Sequence, residues 1–359
     1  MKTEPGFSSL RNLNGKQAKR LSFVLLTILF LLILLIALFP LLDGDTKPFN
    51  AATYAMDTYI KQTVYGKDRE IAAETAANAI QLFDERASWG GEYSEIFELN
   101  QQAGKEWITL SEDVFSILAT ARDVSEKSGG AFDITIAPVS RLWDFENERR
   151  EIPDTELLEE MLQSVGYENL RLGMADRSAS LKYYENAVDL SPLLHGAACN
   201  TAIGVYKESK VSAAIISAGN TVGLYGKKPD GTLFHIAIPT PDGTGTLGTV
   251  FLKEGFLSTT SVYENSFAAD GNHYHSVLDP KTGYPAESDL CSVTVFSEDG
   301  VLSDALSNAC LVLGYKKSLP LLEAYGAEGV FVGHDSKLHI TSGLIADFEL
   351  TNENFTMAE

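Results

Sequence analysis

Four groups of side chains in this chain of 359 residues have the types and spacing for chemistry. The densest is the stretch His273 to Pro285, which reads HYHSVLDPKTGYP. It puts His273 and His275 one residue apart, then Ser276, then Asp279 at the start of a Pro/Gly turn. Imidazoles and carboxylates are the usual proton acceptors of enzymes, and turns held on a scaffold are where such groups sit. In an extended segment neighbours point to opposite faces, so His275 cannot stand in for Ser276 unless a bulge re-aims it. A second group is Asp304, Ser307 and Asn308, at i, i+3 and i+4 on one face of a helix. Their oxygens suit Mg²⁺, and Asp304 equally reads as a helix N-terminal acid stabilised by the macrodipole. Third is Asp133, a lone carboxylate in the apolar segment Gly129 to Phe145. If buried it needs partners, as a ligand contact or as a structural hydrogen bonder; Trp143 and Phe145 read as core, or as a wall for an aromatic ligand. Fourth is the glycine-rich bend of Gly219, Gly223 and Gly226. Such glycines let backbone approach a phosphate or a ring, and hairpins and bulges use them as readily.

The elements that must hold these groups are a mixture of helices and strands. Residues 67–88 read as a helix, with Ala72, Ala76, Ala79 and Phe83 on one stripe and Ile80 beside it. A second helix follows the Ser111 cap and stops at Gly129 and Gly130, and a third is capped by Asp154 or Thr155. A fourth opens at Ser303 and ends at Gly314. Runs such as VSAAIISAGN, LFHIAIP, GTVFLKE and CSVTVFS read as strands, and so does the alternating segment around Asp133. The short turn KPDGT at 228–232 suggests antiparallel pairing. The pattern is α+β rather than strict strand–helix alternation.

Hydrophobic content of 45% and charged content of 21% are those of a folded protein. A net charge of −21 argues against nucleic acid as a partner, since phosphate backbones need clustered Lys and Arg. Leu21 to Leu42 carries no charge and is long enough to span a bilayer as a helix. Lys2, Arg11, Lys16, Lys19 and Arg20 precede it, while Asp43 and Asp45 follow. The positive-inside rule then puts residues 1–20 in the cytoplasm and the rest outside, as a single-pass protein of the cell membrane. The span exceeds the apolar core of a cleaved signal peptide, so the reading is an uncleaved anchor. A linker follows at 43–52, one large folded unit at 53–350 and a tail at 351–359. Cys199, Cys291 and Cys310 are widely spaced and read as small buried hydrophobes rather than a disulfide framework or metal site.

Each signal is ambiguous alone, but their order is distinctive. M-D-T at 56–58, S-E-I…N at 94–100, SGGAFDITIAP…LWDF at 128–145, D-L…H-G at 189–196, A-G-N…G at 218–226, TTSVYE at 259–264, YHSVLDPKTGYP at 274–285 and SDALSNA at 303–309 come in sequence. In this the chain resembles the ApbE family, the FAD:protein FMN transferases, over about residues 54–345. The resemblance implies an ApbE-like (T-fold-like) α+β fold, in a single large domain after the N-terminal transmembrane helix. It implies transfer of FMN from FAD to a threonine hydroxyl in an acceptor protein outside the cytoplasm, with AMP leaving and Mg²⁺ required. By position it also implies flavin-nucleotide contacts from Met56, Asp133, His195, Asn200, Gly219, Asn220 and Thr259. Metal ligation would come from the Leu194 carbonyl, Asp304 and Asn308, and catalysis from the segment holding His275, Ser276 and Asp279.

The same comparison shows departures. The family stretch resembling D-L-G-G-I-A-K-G reads Asp189-Leu190-Ser191-Pro192-Leu193-Leu194-His195-Gly196 here. A proline removes a backbone donor, Leu194 keeps only a carbonyl, and His195 replaces a lysine. Asn308 replaces a threonine as partner to Asp304. The position three residues before Asp279, a histidine in the family, is Ser276, and a serine has no base of its own. Two expectations follow: a transferase with a rearranged site, or an inactive relative that binds flavin or docks a protein. A third reading, a generic extracellular α+β adhesion or sensor domain, requires that no flavin binds at all.

Overall fold

The computed structural model describes residues 15–43, 47–91, 93–145 and 150–358. The chain divides after Lys47 into two units, each taken by itself. The first contains one helix, α1 (Gly15–Asp43). Its described side chains from Phe23 to Leu34 are exposed, while Leu21 and residues 35–42 of the expected span lie outside the described side chains. Among the described residues no helix is long and apolar enough to cross a membrane.

The second unit runs in chain order through β1 (Phe49–Ala55), β2 (Thr58–Gly66), α2 (Arg69–Ala87), α3 (Glu95–Gln101), β3 (Ile108–Thr109), α4 (Glu112–Lys127), α5 (Ala137–Trp143), α6 (Thr155–Leu162), β4 (Leu170–Gly173) and β5 (Ser178–Leu181). It continues through α7 (Leu194–Glu208), β6 (Val211–Ala218), β7 (Thr221–Gly226), β8 (Phe234–Pro239), β9 (Thr246–Leu252), β10 (Gly255–Ser261), β11 (Ser266–Ala269), β12 (Asn272–His275) and β13 (Leu290–Ser297). Last come α8 (Gly300–Leu313), α9 (Tyr315–Tyr325), β14 (Glu328–Gly333), β15 (Lys337–Ile340), β16 (Phe348–Leu350) and β17 (Thr356–Met357). Nine strands form the main sheet in the order β1-β2-β6-β7-β10-β13-β14-β15-β17. Every pairing in it is antiparallel except β15 with β17. The KPDGT turn does not close a hairpin, because β7 lies in the main sheet and β8 pairs with β9 in a separate one.

Helices α2, α7, α8 and α9 pack side by side against this sheet. The buried stripe of α2 is Ala72, Ala73, Ala76, Ile80, Phe83 and Ala87, while Ala79 sits at its edge, half-buried. Small residues on that stripe let the helix lie close to α7. Two expected elements differ. The segment around Asp133 is no strand: it folds as a 3₁₀ turn, Ile134–Ile136, running directly into α5. Pro138 in the first turn of α5 suits a helix start, where its missing N–H costs nothing. Helix α8 begins at Gly300, not Ser303, because the Asp299 side chain accepts from the Leu302 N–H and caps it.

Helices α7 and α8 cross with backbone against backbone. A Cβ on Gly196 would lie 2.1 Å from the Gly300 carbonyl oxygen. Asn200 ties the same crossing, accepting from the Gly300 N–H at 2.9 Å and donating to Asp299 at 2.8 Å. Gly196→Ala is therefore expected to destabilise the protein by about 3 kcal/mol, since neither backbone can yield. Gly204→Ala, in the same helix with open space at its Cβ, should raise stability by about 0.5–1 kcal/mol. Urea melts of the two variants check this; equal midpoints would mean that the helices do not cross here.

A second, smaller core carries the turn-rich segment. Trp143 stacks with Phe145, lies against Phe267 and Tyr274, and meets Tyr284 edge-on. Its indole N–H donates to the Gly283 carbonyl at 2.7 Å. Gly283 has φ 73°, and a Cβ there would meet Leu158 at 2.8 Å, so this turn needs glycine.

Candidate active site

A cavity of about 70 Å³ opens where α5, α8 and the segment after β12 meet. Its polar lining includes Asp133, Asp189, Ser276 and Asn308. Asp133 caps the 3₁₀ turn before α5, with one oxygen accepting from the Thr135 N–H at 2.9 Å and from its hydroxyl at 2.7 Å. Burial pushes the Asp133 carboxyl up to about 6 against those two hydrogen bonds. Asp189 is held in the same manner by the Ser191 N–H at 2.8 Å and hydroxyl at 2.6 Å. Pro192 forms part of the wall. Asp189 was not among the expected site residues, although it opens the stretch Asp189–Gly196 that carries part of the family resemblance; its local pattern, Asp-Leu-Ser, also occurs in ordinary turns.

One turn back along α8 from Asn308 is Asp304, only 1% exposed. One carboxylate oxygen accepts from the Thr221 hydroxyl at 2.5 Å, the other from the Gly196 N–H at 2.7 Å. The hydroxyls of Ser258, Thr260 and Ser307 surround the same pocket of polar groups. Asp304 is thus not a surface acid on a helix end. Burial among neutral donors raises its pKa above the ordinary carboxylate value, opposed by the hydroxyl and N–H contacts and by His195.

His195, Asn220 and Thr259 form one hydrogen-bonded chain, with Gly219 packed against the imidazole. The His195 Nδ1 lies 2.8 Å from the Asn220 side-chain oxygen, and the Asn220 NH₂ donates to the Thr259 carbonyl at 2.8 Å. The amide oxygen accepts only, so Nδ1 carries the proton. A Cβ on Gly219 would stand 2.2 Å from the imidazole; the glycine is there to seat the ring. Glu264 lies within reach of His195, whose charge works against the upward push of burial on its carboxyl.

Four expected site residues have other duties. His275 turns inward, 5% exposed, with Nε2 donating to the Ala286 carbonyl at 3.2 Å and Nδ1 buried without a partner among the described residues. Strand alternation places it off the cavity that Ser276 lines, and no bulge re-aims it. Asp279 organises its turn, accepting from the Lys281 N–H on its side chain and from the Thr282 and Gly283 N–H groups on its carbonyl. Asn200 is fully used at the α7–α8 crossing. Met56 sits at φ 52° in the β1–β2 turn, its N–H donating to Asp84.

Burial lowers the His275 pKa to about 4, helped by the neighbouring His273 and His334. A histidine held neutral in the fold stabilises it fully above its unfolded pKa, and that stability is lost as pH falls through the folded value. Between about pH 6.5 and 4 the expected loss from this group is on the order of 3 kcal/mol. Paired urea melts of wild type and His275→Leu across that window should show the difference between them shrinking as the pH falls. A constant difference would mean that the imidazole is solvated.

The donors around Asp304 fit a hard divalent cation. The hydrogen-bond donors to its buried carboxylate are all neutral, and Asn308 commits its NH₂ to the Asp304 carbonyl at 2.9 Å, leaving its amide oxygen unspent. Leu194 opens α7, so its carbonyl enters that helix's own ladder and is the weakest donor of the three. Among the described residues no three His, Cys, Asp or Glu side chains cluster as a metal site. Mg²⁺ commonly takes one or two carboxylates and completes its shell with water and substrate phosphate.

The sheet and the helices packed on it form a fold of a known class. A model of the ApbE family matches residues 56–331, and the chain belongs to that family. Among its relatives, the FAD:protein FMN transferase of Treponema pallidum (strain Nichols) is 26% identical over 331 residues, 87% of this chain and 91% of that one. The enzyme of the same name from Escherichia coli (strain K12) is 26% identical over 301 residues, 79% and 86% of the two chains. The ApbE protein of Thermotoga maritima superposes with a TM-score of 0.76 at 26% identity, over 83% of this chain and 98% of that one. The flavin transferase ApbE of Vibrio cholerae, at 21% identity and the same TM-score, shares the fold.

Proposed function

We propose that this chain is an FAD:protein FMN transferase, held at the outer face of the cell membrane by Leu21–Leu42. The observation that carries the reading is the cavity itself: two hydrogen-bonded carboxylates, Asp133 and Asp189, face Ser276 and Asn308 one helical turn from the buried Asp304. In the reaction a threonine hydroxyl of the acceptor attacks the flavin-side phosphorus of FAD. A new P–O bond forms, the bond from that phosphorus to the bridging oxygen breaks, and AMP leaves with that oxygen. Mg²⁺, where bound, supplies charge neutralisation on the pyrophosphate. Asp304 and Asn308 would hold it. The hydroxyl proton needs an acceptor near the in-line position. Ser276 cannot take it, and the Asp133 carboxylate, ionised near neutral pH and still only partly engaged by Thr135, can.

A second reading is favoured by one residue. Ser276 occupies the cavity position where the resemblance puts a histidine, which suits a module that binds flavin without transferring it. The two are separated by incubating the protein with FAD, Mg²⁺ and an acceptor bearing a flavinylation-type threonine. Covalent flavin fluorescence on the acceptor with stoichiometric AMP supports the transferase. FAD binding without either product leaves the binding module, and no flavin binding removes both.

A further inference from the structure

The cavity lining holds the carboxylates Asp133 and Asp189 and neither lysine nor arginine, on a chain of net charge −21. A pyrophosphate entering it must be met by a cation from its edge. Arg141 stands there. It follows Ser140, a lining residue, in the last turn of α5. Its guanidinium carbon sits 3.1 Å from the centroid of the Trp89 ring. Its charge reaches the Asp189 carboxylate of the lining, without an ion pair or hydrogen bond to it among the described residues. Arg86 and Arg177, by contrast, are engaged by Asp113 and Glu112. A guanidinium seated over an indole ring is held in place while its N–H groups can still reach outward, an arrangement that suits two-point contact with phosphate oxygens.

We infer that Arg141, seated on Trp89, is the phosphate-recognising residue at the cavity edge and contacts the pyrophosphate of the flavin dinucleotide. This rests on the reading of FAD as ligand. It explains how an acidic surface accepts a dianionic link when His195 stands in place of a lysine and is occupied with Asn220. Trp89 is a positioning residue in this scheme, acting through the arginine.

The test is equilibrium binding of FAD and of riboflavin, which shares the ring and lacks phosphate, to the full-length protein in detergent with EDTA present. Arg141→Gln should weaken FAD by about ten-fold or more, as loss of a charge-assisted pair does, and leave riboflavin unchanged. Arg141→Lys should recover part of that loss, and Trp89→Leu should weaken FAD less than Arg141→Gln. Because Arg141 is exposed, its variants should melt with the wild type. Equal weakening of both ligands, or no change in either, overturns the inference while leaving the flavin reading intact. A wild type that binds neither ligand overturns both.

Discussion

Ser276→His is expected to raise FMN transfer by about two orders of magnitude or more, the usual contribution of a well-placed general base. Ser276 lines the cavity directly after β12 and has no hydrogen bond among the described residues that a larger side chain would break. An imidazole there would find the carboxylates of Asp133 and Asp189 in the same lining. A carboxylate beside a histidine fixes its tautomer and favours its charged form, which is what a proton acceptor in a transfer step needs. The scaffold around the position is already stiff, because Trp143 holds Gly283 and the Leu278–Pro285 bridge closes the turn. Single-turnover assays with FAD and an acceptor threonine read the gain, and FAD affinity should change less than two-fold. A variant that folds and binds FAD but transfers no faster would show that the missing histidine is not what limits this site. The limit would then lie elsewhere in the same lining, with Pro192 the first residue to exchange. His275→Ala should leave transfer unchanged in the same assay, since His275 faces Ala286.

What could be read in advance follows the range of the interactions involved. Helices α2, α4 and α6 were legible because their apolar stripes and their caps lie within a few residues of each other. Asp154 accepts from the Glu156 and Leu157 N–H groups, as its position suggests. Ser111 does occupy the N-cap of α4, yet its hydroxyl goes to Glu95 instead of the helix. The segment from Asp133 to Trp143 misled because its residues are buried on nearly every side. Burial all round erases the period that separates strand from helix. At the site, alternation alone sent His275 and Ser276 to different faces, and the structure has them there. Asn200 was not legible: its partners Asp299 and Gly300 are about a hundred residues away, and nothing in its local sequence distinguishes a clamp from a ligand contact. Arg141 was missed for a similar reason. A cation in a helix's last turn normally reads as a macrodipole partner, and only the fold brings Trp89 beneath it.

Asp304→Asn is expected to lower transfer by about a hundred- to a thousand-fold, the several kcal/mol that a bound metal contributes to charge stabilisation at a transferring phosphoryl group. The exchange is nearly isosteric, so it removes the charge without a change of volume. The amide oxygen can keep the Thr221 hydroxyl, but its NH₂ then faces the Gly196 N–H, and two donors meet where an oxygen stood. That mismatch costs about 1–3 kcal/mol of stability. It also loosens the point where α7 and α8 are most tightly locked, since Gly196 and Gly300 have no slack there. A simple loss of activity therefore has two explanations, and thermal melts with and without Mg²⁺ separate them. Wild type should gain about 2.7 kcal/mol when Mg²⁺ is a hundred times its dissociation constant, while Asp304→Asn should gain nothing at the same concentration. Asn308→Ala, which removes an amide oxygen and leaves the carboxylate, should shift that titration to higher Mg²⁺ without abolishing it. If Asp304→Asn keeps the wild-type Mg²⁺ response, the buried carboxylate is structural. Its work would then be the reciprocal tie across the two helices, carboxylate to Gly196 in one direction and Asn200 to Gly300 in the other.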